Sequence, residues 1–208
     1  MKAQEILSLS KIIPVVSVDD ELEGLNLAKA LYEGGIEILE LTLRTPKALD
    51  ILRALIKEFP RITVGAGTVI STNQLQRIKD LGASFAISPG INATLAKKAL
   101  ELDLAFIPGV SSPSDILLAL EFELKALKFF PATQIGGVPM LKALNAPFKE
   151  VKFCPTGGIN LENAKEYLAL DNVLCVGGSW LCDKELIRAK KWQELTRLAK
   201  KSLAHLNS

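Results

Sequence analysis

Histidine is the residue this chain has least of. Its only one, His205, lies at the frayed end of 208 residues, which excludes a histidine general base and a zinc centre built on imidazoles. Cysteine is nearly as scarce. Cys154, Cys175 and Cys182 form an odd set without CxxC spacing, and the first two sit in apolar runs, so buried reduced thiols are expected rather than a disulfide frame. No charge of one sign dominates: 25 Lys and Arg face 23 Asp and Glu along the whole chain, for a formal net charge of +2. That leaves no electrostatic footprint for nucleic acid. Lys190-Lys191 and Lys200-Lys201 sit beside leucines at near-helical spacing, Leu195, Leu198, Leu203 and Leu206, and read as the solvated face of an amphipathic helix. Long hydrophobic runs are missing too. Charges, Pro or Gly interrupt every apolar stretch before the roughly 18 to 20 residues a membrane span needs, and the opening MKAQEILSLS carries no secretory core. These absences predict a soluble cytoplasmic protein whose chemistry runs on Lys, Arg, Glu, Asp or hydroxyl groups.

What the chain does have is alternation. Short β-rich runs, IIPVVSV from Ile12, ILELTL from Ile38, ITVGAGT from Ile62, FAIS from Phe85, LAFIP from Leu104, LKFF from Leu127, VKFCP from Val151 and NVLCVGG from Asn172, are separated by stretches with apolar residues near 3.6 spacing. Strict alternation of strand and helix implies a parallel sheet with helical crossovers. Eight such units predict closure into a (β/α)8 TIM barrel, one domain over residues 1–208, with the N-terminal residues as a helix capping the bottom of the barrel. An open doubly wound sheet is disfavoured because no GxGxxG follows the first strand.

A barrel demands that functional residues gather at the C-terminal ends of its strands. In ILELTLRTP, side-chain alternation puts Glu40, Thr42 and Arg44 on one face and Leu39, Leu41 and Leu43 on the other. The leucines belong against the helices, so Glu40 is expected inside the mouth and Arg44 at the rim, about 13 Å further along an extended strand. An ion pair between those two is the plain structural alternative. The same parity in ALKFFPATQIGGVP sets Lys128 and Phe130 opposite Leu127 and Phe129. The second and sixth strands are both even-numbered and share interior layers, so Lys128 and Glu40 are expected to meet across the mouth. Burial disfavours an ammonium, and a neutral amine attacks carbonyls to form Schiff bases; a permanent salt bridge to Glu40 is the alternative. CPTGGIN and CVGGSW end the seventh and eighth strands, where glycine-rich loops of this fold often hold phosphate, with Thr156 and Ser179 as hydroxyl donors. VGAGTV offers Thr68 and a close backbone approach for a carboxylate or carbonyl, while SPGIN, with Ser88 and Pro89, and IPGVSSPSD read equally as tight turns.

Taken together, GGIEILELTLRTPKAL, VGAGTV, ISPGIN, IPGVSSP, LKFFPA, FCPTGGI and VLCVGGSWL resemble, in order and from Ile13 to Leu181, the 2-keto-3-deoxy-6-phosphogluconate (KDPG) and 4-hydroxy-2-oxoglutarate aldolases. The resemblance implies a (β/α)8 homotrimer that cleaves a phosphorylated 2-keto acid to pyruvate and D-glyceraldehyde 3-phosphate through a lysine Schiff base, with no metal or other cofactor, and that also splits 4-hydroxy-2-oxoglutarate to pyruvate and glyoxylate. By motif it implies Lys128 as the Schiff-base lysine and Glu40 as general acid/base. It gives Arg44 and Thr68 to the substrate carboxylate, with Pro89 lining that pocket and Phe130 beside the lysine. Thr156, Gly157, Gly158, Gly178 and Ser179 fall to the hydroxyl and phosphate contacts. Thr133 departs from the pattern, which has an acidic residue there. Other readings are an aldolase for the galactonate-derived epimer or an unphosphorylated 4-hydroxy-2-oxo acid, a phosphosugar isomerase or epimerase using Glu40 as base, and a phosphate-metabolite binding protein with Lys128 and Arg44 as anion anchors.

Overall fold

In the computed structural model, which describes residues 1–208, the β-rich runs form strands β1 (Ile12–Val16), β2 (Ile38–Thr42), β3 (Thr63–Gly67), β4 (Phe85–Ile87), β5 (Ala105–Ile107), β6 (Gly109–Val110), β7 (Ala126–Phe129), β8 (Lys152–Pro155) and β9 (Val176–Gly178). The intervening periodic stretches form helices: α1 (Ala3–Leu7), α2 (Glu21–Glu33), α3 (Ala48–Glu58), α4 (Thr72–Asp80), α5 (Ala93–Glu101), α6 (Pro113–Glu121), α7 (Gly137–Asn145), α8 (Ala164–Leu168), α9 (Lys184–Arg188) and α10 (Trp192–Asn207). Every strand pairing is parallel. The result is an α/β fold in which six strands run in the order β5-β4-β3-β2-β1-β9 and three in the order β6-β7-β8. Bridges Phe153↔Val173 and Thr156↔Gly177 tie β8 to the β9 side.

Two boundaries differ from the sequence reading, each for a local reason. Pro108 has no N–H to give, so the fifth run splits into β5, paired with β4, and β6, paired with β7. The eighth run narrows to Val176–Gly178. Its start is held by a side chain instead: buried Asn172 donates from Nδ2 to the Leu141 carbonyl at 2.8 Å.

Strand parity produces two apolar layers. Leu39, Leu41, Leu127 and Phe129 join the larger cluster between strands and helices. A smaller cluster takes the opposite faces, with Ile13, Ile38, Phe85, Ile87, Ile107, Ala126, Cys154 and Cys175, and Ile6 and Leu7 of α1 pack into it. The C-terminal helix is amphipathic as expected: Leu195, Ala199, Ser202 and Leu206 are buried while Lys200 and Lys201 are exposed.

Helix starts follow the capping code. Asp20, Ser71, Asn92 and Ser112 each accept a main-chain N–H of the helix that follows. At α6 the box is doubled: Asp115 Oδ2 accepts from Ser111 N at 2.8 Å, Ser112 N at 3.0 Å and Ser111 Oγ at 3.1 Å. Burial alone would raise this carboxyl, but the serine donors outweigh it and hold it below 3.8. Its contribution is therefore present above the unfolded value and is lost as pH falls through the folded one. Asp115→Ala should lower stability near neutral pH by about 0.5 to 1 kcal/mol, the low end for a solvent-screened cap. Urea unfolding of both proteins should show the gap closing as the pH is brought below the folded carboxyl's titration; a pH-independent gap would contradict the assignment.

Candidate active site

Glu40 is only 2% exposed and Lys128 5%, and Lys128 Nζ donates to Glu40 Oε1 at 3.5 Å. Of the chain's five ion pairs this alone is buried. Both positions follow from parity, since Glu40 lies two residues beyond Ile38 and Lys128 two beyond Ala126, and both of those side chains belong to the inner cluster. No ion pair joins Glu40 to Arg44, so that alternative reading falls.

Strand β3 explains how a carboxylate fits there. Its outward positions, Val64 and Ala66, are ordinary core, whereas the two inward positions after Thr63 are glycines. A Cβ on Gly65 would lie 2.3 Å from the Phe85 ring, and one on Gly67 would lie 1.8 Å from Glu40 Oε1. The close approach foreseen at VGAGT thus accommodates the protein's own carboxylate. The next residue, Thr68, holds a left-handed backbone (φ 58°), which is strained for a β-branched residue. Its Oγ1 accepts from Arg44 Nε at 3.1 Å.

Around Lys128, Gly109 and Cys154 are its register partners on β6 and β8, and Nζ lies 5.1 Å from the Phe130 ring centroid, within cation–π range. Pro89 borders the same place through its carbonyl, which a Cβ on Gly109 would meet at 2.3 Å. Phe130 also lines a cavity of about 310 Å³, so its ring links the buried pair to the open mouth. Arg44, Thr156, Gly157, Gly158 and Ser179 line that cavity as well. Gly157 and Gly158 both have positive φ, 97° and 74°, and Thr133, the departure from the expected motif, fills the space a Gly158 side chain would need.

The second glycine pair is arranged differently from the expectation. Gly177, not Gly178, is on the cavity wall; a Cβ there would meet Thr156 Oγ1 at 2.2 Å, whereas Gly178 makes room for the Trp180 ring. Thr68 and Pro89 stand beside the cavity rather than on its wall. The sequence reading also missed Val15, Ser17, Ile159, Cys182 and Lys184, which line it. Ser17 and Lys184 follow the C-terminal ends of β1 and β9, where the rule applied to the other strands would have found them. Burial pushes the Cys182 thiol up to about 12 and raises Cys175, hydrogen-bonded to Cys154, well above the usual thiol range, so these cysteines are poor nucleophiles.

If Glu40 is what keeps a side chain out of position 67, Gly67→Ala should destabilise the native protein by about 1 to 3 kcal/mol. In a background carrying Glu40→Ala and Lys128→Met, which leaves no unpaired buried charge, the penalty should shrink by at least about 0.5 kcal/mol. Equal penalties in denaturant titrations of both backgrounds would mean that something other than Glu40 excludes the methyl group.

Comparison with known proteins bears on this geometry. The family model described as "KDPG and KHG aldolase" matches residues 3–198. The KHG/KDPG aldolase of Escherichia coli is 45% identical over 97% of this chain and 94% of its own length. KDPG aldolase from Legionella pneumophila, solved with pyruvate captured at low pH as a covalent carbinolamine intermediate, superposes with a TM-score of 0.96 at 44% identity and covers 98% of both chains. The 2-keto-3-deoxy-6-phosphogluconate aldolase of Zymomonas mobilis, solved with 3-phosphoglycerate, has a TM-score of 0.90 at 40% identity, over 98% of this chain and 95% of that one. With sequence and backbone agreeing over nearly the whole length, this chain belongs to the KDPG and KHG aldolase family.

Proposed function

We propose that the chain is a class I aldolase that cleaves 2-dehydro-3-deoxy-6-phosphogluconate to pyruvate and D-glyceraldehyde 3-phosphate, and 4-hydroxy-2-oxoglutarate to pyruvate and glyoxylate, with Lys128 as the covalent residue. The observation that carries this reading is the buried amine–carboxylate contact of 3.5 Å beside a cavity without acidic residues. A covalent carbinolamine with pyruvate in a 44% identical relative supports it. The isomerase and binding-protein readings need no such covalent adduct.

The frame of the proposal is a closed (β/α)8 barrel, one domain over residues 1–208. Its support is the chain's passage from β5 through Pro108 to β6 on one side, the bridges from β8 to the β9 side on the other, and the burial of Ile6 and Leu7 of α1 in the inner cluster. The same reading takes the protein as a cytoplasmic homotrimer working without metal, as the resemblance implies. No helix is long and apolar enough to cross a membrane.

In the proposed cycle Glu40 takes a proton from the Lys128 ammonium, and the freed amine adds to the C2 ketone of a 2-keto acid whose carboxylate is held by Arg44 and Thr68, with Pro89 and Phe130 bounding that end. Glu40 returns that proton to the carbinolamine hydroxyl, which leaves as water and gives an iminium, an electron sink. Glu40, directly or through water, removes the C4 hydroxyl proton; the C3–C4 bond breaks, its electron pair passes to C3 as an enamine, and the aldehyde leaves. Protonation of C3 with help from Glu40 and hydrolysis of the iminium release pyruvate and the free amine. Thr156, Gly157, Gly158, Gly177 and Ser179, all on the cavity wall, anchor the distal hydroxyls and phosphate, turning remote binding into orientation at the reacting carbons. Thr156 and Ser179 supply hydroxyls, and the glycines supply main-chain N–H groups.

Incubation with pyruvate and sodium borohydride should give a reduced adduct that peptide mass spectrometry locates on Lys128. Folded protein without an adduct would remove the Schiff-base mechanism. Glu40→Gln should lower turnover by about 10²- to 10⁴-fold while still allowing some trapping; unchanged turnover would take Glu40 out of the proton transfers.

A further inference from the structure

The cavity above the buried pair has an uneven charge lining: two cations, Arg44 and Lys184, and no carboxylate. Arg44 is already engaged with Thr68 Oγ1. Lys184, the first residue of α9, is exposed and takes part in none of the chain's ion pairs. The carboxylates flanking it in sequence do not neutralise it. Asp183 accepts the main-chain N–H groups of Glu185 and Leu186, each at 2.9 Å, and neither Asp183 nor Glu185 lines the cavity.

Strand order sets the sides from which the two cations reach the cavity. Arg44 follows β2 and Lys184 follows β9, with β1 between them. Ser179 lies on the same strand-end connection as Lys184, and Gly157 and Gly158, beyond the bridge from Thr156 to Gly177, complete that side of the cavity. In the aldolase reading a substrate held at Arg44 and Lys128 extends into this cavity, whose wall includes Lys184.

We infer that Lys184 is a specificity-determining residue, its ammonium recognising the second, distal anion of the substrate, the phosphate of a phosphorylated 2-keto acid. This rests on the aldolase reading above and adds to it a cation that the motifs did not include. An exposed ammonium reaches a phosphate as a mobile point charge, so it selects for the charged tail without touching the reacting carbons.

The test compares cleavage of 2-dehydro-3-deoxy-6-phosphogluconate with that of the same 2-keto acid bearing a free C6 hydroxyl, in wild-type, Lys184→Met and Lys184→Arg proteins. Lys184→Met should lower kcat/KM for the phosphorylated substrate by about tenfold, the size of one lost charge-assisted contact, and chiefly through KM. It should change the unphosphorylated substrate by less than about twofold, because the contact it removes is absent there. Lys184→Arg should restore most of the preference, and added salt should erode that preference in wild type but not in Lys184→Met. Equal losses on both substrates, or no loss on either, would overturn the assignment of Lys184 while a borohydride-trapped pyruvate adduct left the aldolase reading standing. A wild-type protein that gave neither cleavage nor an adduct would overturn both.

Discussion

The interior of this protein is organised around one expensive contact, the ammonium of Lys128 against the carboxylate of Glu40 in a place almost without solvent. Taking both charges out of water costs several kcal/mol per ion before their attraction returns any of it, and apolar side chains of similar volume do as well or better for stability. A fold built for stability alone would have no use for the pair. Once the pair is there, the neighbouring sequence is constrained, because losing one partner strands the other at a cost of about 3 to 5 kcal/mol.

The constraint is visible in the residues nearby. Gly67 is small because Glu40 occupies the volume its side chain would take, and Gly65 is small because Phe85 does the same one layer down. Ile38 and Ala126 floor the pair, and Phe130 presents its ring to Lys128. These are consequences of period-two alternation on parallel strands: once β2 and β7 turn a carboxylate and an amine inward, β3 between β2 and β4 has no inward volume left. Thr68 then departs from ordinary backbone geometry where β3 ends, and its hydroxyl receives Arg44. The strain sits where the chain passes from the parallel sheet to the loop that carries the Arg44 contact.

Much of this was legible in the sequence, because parity and strand order are local information. LELTLR alone orients Glu40 inward, LKFF does the same for Lys128, and their meeting follows from counting strands. The split at Pro108 was also present as a residue without an N–H, but its effect depends on which neighbour each half pairs with, and that is tertiary information. The exchange between Gly177 and Gly178 was not legible at all. Both are glycines, and which faces the cavity depends on where the Trp180 ring and the Thr156 hydroxyl lie. Lys184 escaped for a simpler reason. In a chain with 25 basic residues, a lysine beside Asp and Glu reads as helix-surface charge, and only its place on the cavity wall in the folded protein sets it apart.

The electrostatic layout constrains how substrate is received. The buried pair is neutral overall, while the wall above it carries cations without carboxylates. On the proposed reading a doubly anionic substrate meets Arg44 and Lys184 without the floor having to surrender its charge balance first. In the proposed cycle Glu40 carries the proton that the ammonium gives up, so it is neutral rather than an unpaired carboxylate while the amine becomes covalent. On that reading a single carboxylate takes the place that the missing histidines would occupy in other sites: a counter-ion at rest, and a base in the proposed cycle once the amine is covalent.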